Sequence, residues 1–160
     1  MRTYLLAAVV LLGTAPAAPA HAQNLAGKTI VYTAVSGSVS GYIFVAPSGT
    51  VYWSAECGSC GFGGKNKGVR FRIGRSMTES HSGCQVTATG ALSGGVLSMN
   101  AISTCTALQS TDNQSLTVTL SGESCSLVHT TRFNSPSTGP VNGTTRSESC
   151  RIVAGSQIAR

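Results

Sequence analysis

Gly94 and Gly95 stand between two runs in which apolar and polar residues alternate, Cys84 to Leu92 and Val96 to Thr104. Consecutive glycines supply the positive φ angles that a two-residue hairpin turn requires. In that register Leu92 faces Leu97, Ala88 faces Ala101 and Cys84 faces Cys105. The cysteine pair falls on the non-hydrogen-bonded parity of an antiparallel ladder, where Cα atoms sit close enough for a disulfide. One turn therefore predicts two strands, their register and a crosslink.

Two further turns set registers in the same way. Ser121, Gly122, Glu123 and Ser124 read as a second two-residue turn, setting Leu120 opposite Cys125 and Val118 opposite Leu127. Ala46 to Thr50 suits a three-residue turn with Gly49 at the left-handed position, so that Val45 faces Val51, Ile43 faces Trp53 and Phe44 faces Tyr52. Further short β-branched and aromatic runs lie near Thr29 to Ala34, Val69 to Ile73, Ser115 to Ser121, Ser124 to Thr131 and Glu148 to Ala154. No window carries a sustained 3.6-residue apolar stripe. The expected fold is all-β: a small antiparallel barrel, favoured by the consecutive hairpins, with a β-sandwich as the alternative. Glu56 to Gly68 and Arg132 to Thr145, rich in Gly or Pro, are expected to be loops, and His81, beside Ser82 and Gly83, a loop residue.

Residues 1–22 have the form of a secretory signal, with Arg2, an apolar run from Tyr4 to Leu12 and a small-residue exit at Ala20, His21 and Ala22. Residues 23–160 would then be one domain, long enough to bury a core. No later stretch approaches the roughly 20 apolar residues of a membrane helix. All six cysteines fall after the leader, an even number, and in an oxidising compartment this implies three disulfides. Fifteen pairings are possible; with Cys84 joined to Cys105, elimination favours Cys125 with Cys150 and Cys57 with Cys60. Short strands and few aromatic residues weigh against an outer-membrane barrel.

Trp53, Ser54, Ala55, Glu56, Cys57, Gly58, Ser59 and Cys60 form a segment that resembles the thioredoxin active site over about eight residues. The resemblance implies a thiol-disulfide oxidoreductase in which Cys57 attacks and Cys60 resolves, the thiolate being favoured by a helix N-terminus. Gly61 to Gly68 is a poor helix by propensity, however, and no βαβ pattern follows. A structural disulfide in a glycine loop is the favoured reading, and oxidation competes with any metal thiolate there.

Removing Arg2 with the leader leaves ten of the eleven Lys and Arg against all five Asp and Glu, a formal charge of +5. Lys65, Lys67, Arg70, Arg72 and Arg75 cluster in eleven positions. With Val69, Phe71 and Ile73 facing inward, Arg70 and Arg72 project outward, an edge suited to anionic surface polymers or, in the bland reading, to solubility. Nucleic acid is disfavoured because no aromatic residue points outward in that strand to stack on a base. Tyr42, Phe44 and Tyr52 make the hairpin around Gly49 apolar on its second face as well, which needs a covering segment or a small apolar ligand.

Catalytic constellations are thin. Only His81 and His129 remain after the leader, with five isolated acids and neither His-Glu-x-x-His nor Gly-x-Ser-x-Gly. His129 aligns with Leu127 and Cys125 as a partly buried strand residue. Asn113 and Asn142 stand in Asn-x-Ser/Thr sequons. The expectation is an exported, disulfide-stapled, non-catalytic binding module without cofactor or metal; the alternatives are the Cys57/Cys60 oxidoreductase and a structural or inhibitory envelope protein.

Overall fold

The computed structural model describes residues 25–34, 39–55, 69–81, 83–137 and 139–158. These form ten antiparallel strands and no helix: β1 (Lys28–Thr33), β2 (Val39–Val45), β3 (Thr50–Ala55), β4 (Val69–Arg72), β5 (Met77–His81), β6 (Cys84–Ser93), β7 (Val96–Cys105), β8 (Ser110–Ser121), β9 (Ser124–Ser135) and β10 (Gly139–Ala154). Their order is β4-β3-β2-β1-β10-β9-β8-β7-β6-β5, a nearly closed up-and-down barrel. The first and last strands pair in the middle of this order, and the sheet's two edges, β4 and β5, are neighbours in sequence.

The hairpin registers follow the turns. Gly94 and Gly95 have φ of 56° and 78°, and Cys84 pairs with Cys105, Ala88 with Ala101 and Leu92 with Leu97. Gly122 (φ 62°) closes the β8–β9 turn with Leu120 opposite Cys125. Disulfides join Cys84 to Cys105 (Cα–Cα 4.1 Å) and Cys125 to Cys150 (Cα–Cα 5.5 Å), each between neighbouring strands. Cys57 and Cys60 lie outside the described residues.

Alternation puts one face of each strand inside. At the end carrying the turns around Gly49, Gly94 and Gly122 the filling is apolar: Leu25, Ile30, Ile43, Val45, Val51, Phe71, Leu97 and Val118 are all buried. Burying such a side chain contributes about 1.5–3 kcal/mol, so this end supplies most of the cohesion. Side chains also close the seam. Phe71 lies over Gly90, where a Cβ would come within 2.5 Å of the ring, and Gly74 N donates to Gly90 O at 2.8 Å. Outside it, Arg70 Nε pairs with Glu79 Oε1, joining β4 to β5.

Three sequence expectations need correction. Residues 77–81 form a strand, β5, so that the backbone of His81 ends a ladder opposite Cys84. Residues 132–145 are not a loop but the far half of the β9–β10 hairpin, with a bulge between Val141 and Thr144. Pro140 is tolerated there because β1 covers only Ser149 to Ala154, leaving that side of β10 without a ladder among the described residues. Finally, β8 begins at Ser110, five residues before the expected start.

Candidate functional site

The basic edge and the aromatic face, separate in the sequence, share one outer surface. Across the ladder Thr29 pairs with Phe44, Phe44 with Tyr52, and Tyr52 with Arg70. Phe44 and Tyr52 rings stand 6.1 Å apart. Arg72, opposite Thr50, and Arg75, bridged to it across the Ile73–Gly74 turn, continue the surface and are exposed. Glu79 raises the pKa of Arg70 through a hydrogen bond and its charge, so that arginine is already engaged. Among the described residues no ion pair holds Arg72 or Arg75. Lys65 and Lys67 lie outside the described residues.

The C-terminal segment covers part of this face. Thr29 Oγ1 donates to Gly155 O at 2.6 Å and accepts from Gln157 N at 3.1 Å, while Gly155 N donates to Gly27 O. These bonds fold the chain back over β1 and seat Ile158 against Phe44 and Ala46. Phe44 is therefore only 3% exposed, and the accessible aromatic surface is that of Tyr42 and Tyr52.

A second feature lies inside the barrel, at the end opposite the apolar filling. There the inward positions are Ser103, Ser110, Asp112, Gln114, His129 and Glu148, all buried. Gln114 Nε2 donates to Asp112 Oδ2 at 3.0 Å. His129 Nδ1 stands 3.6 Å from Glu148 Oε1, beyond hydrogen-bond range. Burial lowers the pKa of His129, with Glu148 opposing, and burial raises that of Asp112. Among the described residues, Gln114 Oε1, both nitrogens of His129 and both carboxyl oxygens of Glu148 have no hydrogen-bond partner. An unmade buried hydrogen bond costs about 1–3 kcal/mol, which sets these atoms apart from the rest of the interior.

His129 shares the inward face of Leu127 and Cys125, as expected, but is buried rather than partly buried, and Asp112, Gln114 and Glu148 were not singled out in the sequence. The available signal was parity: these residues continue the inward alternation of Leu116, Leu127 and Cys150. A further cavity of about 200 Å³ opens at the apolar end between Leu25, Leu120 and Ile152, with Lys28 and Glu123 at its wall. Among the described residues no group of three His, Cys, Asp or Glu is arranged to hold a metal ion, and no helix is long and apolar enough to cross a membrane. No family model, curated protein or solved structure matches the chain.

Proposed function

We propose that this chain is an exported, non-catalytic module that binds anionic surface polymers through Tyr52, Arg72 and Arg75. The observation that carries the reading is the ladder that sets Tyr52 beside Arg70 and leaves Arg72 and Arg75 exposed on the same surface. An arginine fork recognises carboxylate, sulfate or phosphate, while a neighbouring tyrosine offers an apolar face to a sugar ring. Two disulfides between described strands support an oxidising compartment. Retention on a heparin resin tests the reading. If each arginine neutralises one anionic group, Arg72→Ala with Arg75→Ala lowers the slope of log affinity against log salt by about two. Retention unchanged by the double substitution overturns it.

The 200 Å³ cavity lined by Leu25, Leu120 and Ile152 favours a second reading, a small apolar ligand. Binding of an apolar dye that is insensitive to salt and abolished by Leu120→Arg is its expected signature.

A further inference from the structure

The unpartnered atoms at the polar end are unequal in kind. Glu148 offers two acceptors and Gln114 Oε1 a third, whereas the Gln114 amide nitrogen is spent on Asp112. Neutral His129 adds one acceptor and one donor. Acceptors thus outnumber donors by four to one among three inward-facing side chains, Gln114, Glu148 and His129, that are only 1%, 5% and 6% exposed. The chemical complement is a cation with several N–H groups. A bare metal ion is a poorer match, because among the described residues no three His, Cys, Asp or Glu side chains are grouped as metal ligands would be.

The surroundings agree. Asp112 of β8 supplies a second carboxyl group, its charge felt at His129. Phe133, 42% exposed, stands opposite Asp112 on the same side of β9 as His129, which puts an aromatic residue, a group able to attract a cation, beside the cluster. Arg146 of β10, opposite His129 and exposed, is the one like charge facing the site among the described residues. Tyr32 of β1 packs edge-on to His129, at 6.4 Å between ring centres.

We propose that this end of the barrel binds a small alkylguanidinium or primary alkylammonium ion, held by Glu148, Gln114 and His129. The site is separate from the outer surface of Tyr52, Arg72 and Arg75.

The protein carries its own reporter. Its single tryptophan, Trp53, is 2% exposed and donates Nε1–H to Tyr32 Oη at 2.9 Å, one ring away from His129. Titrating the full oxidised chain with methylguanidinium, at concentrations far below denaturing ones, should give a saturable change in Trp53 emission. Tetramethylammonium at equal ionic strength, which has the charge but no N–H, should give none. Glu148→Gln keeps the shape and removes the charge, and should weaken the methylguanidinium response by about tenfold or more. An absent response in the wild-type protein, an equal one with tetramethylammonium, or an unchanged affinity in Glu148→Gln overturns the proposal. The tetramethylammonium comparison decides the matter even if the variant folds poorly.

Discussion

Breaking the two described disulfides should lower stability by amounts that can be worked from chain separation. The Cys84–Cys105 bridge closes a separation of 21 residues and Cys125–Cys150 one of 25. In the chain-entropy model these loops contribute about 3.4 and about 3.5 kcal/mol. They do not overlap in sequence, so their effects should add to about 7 kcal/mol, a large share of a typical domain's 5–15 kcal/mol. For a chain of this size about 4 °C of melting temperature accompanies each kcal/mol, giving a drop near 14 °C for each pair. The assay is calorimetry on the wild-type protein and on variants with Cys84 and Cys105, or Cys125 and Cys150, changed to alanine. Alanine also removes buried sulfur, so reduced wild-type protein, whose thiols still pack, separates the crosslink from the lost contacts. If either double variant melts within about 4 °C of the wild type, the bridges do not restrain the unfolded chain as argued.

Two further outcomes follow from the same geometry. Gly90→Ala places a Cβ against the Phe71 ring and should cost about 1–3 kcal/mol in chemical denaturation, partly restored by Phe71→Leu; an additive double variant would contradict the seam contact. Because burial lowers the pKa of His129 below the ordinary 6.5, the unfolded chain binds the extra proton first. Stability should then be complete above pH 6.5 and fall as the pH drops below it, by at most about 1.4 kcal/mol per pH unit. Asp112, whose pKa burial raises above 3.8, runs the other way: its cost is present at neutral pH and is relieved as acid protonates it. Denaturation of His129→Phe should therefore lose the dependence near pH 6, and a slope unaltered by that change would refute the assignment.

How much of the fold was legible depended on what the strands enclose. Around Gly94, Gly122 and Gly49 the turn residues sit between runs with apolar inward positions, so pattern and turn chemistry agree and the registers are readable. Strand β5, Met-Thr-Glu-Ser-His, is polar because it lies at the seam, with Glu79 directed to Arg70 rather than to a core. The first residues of β8 carry no hydrophobic alternation either, since their inward positions are Ser110, Asp112 and Gln114. Pro140 and Gly143 mark turns in most contexts, yet here they occupy an uncovered margin of β10 and a bulge. Of the candidate surface, Arg70, Arg72 and Tyr52 were each readable; their adjacency was not, because it depends on pairing between strands joined by the segment 56–68.

The position of the first disulfide answers to the same division of the interior. Hydrophobic burial holds the barrel together where Phe71, Leu97 and Val118 meet, but Ser103, Ser110, Asp112 and Gln114 provide little of it at the other end. Cys84 and Cys105 lie in that poorer region, and their cross-strand row continues to Ser110. A covalent link there restrains two strands without demanding apolar contacts around it. The second bridge lies on a row that runs from Tyr32 through Cys150 and Cys125 to Leu120, joining the strands that carry His129 and Glu148. Both crosslinks thus secure strands that line the polar interior, where crosslinking the unfolded chain adds stability that apolar burial does not supply.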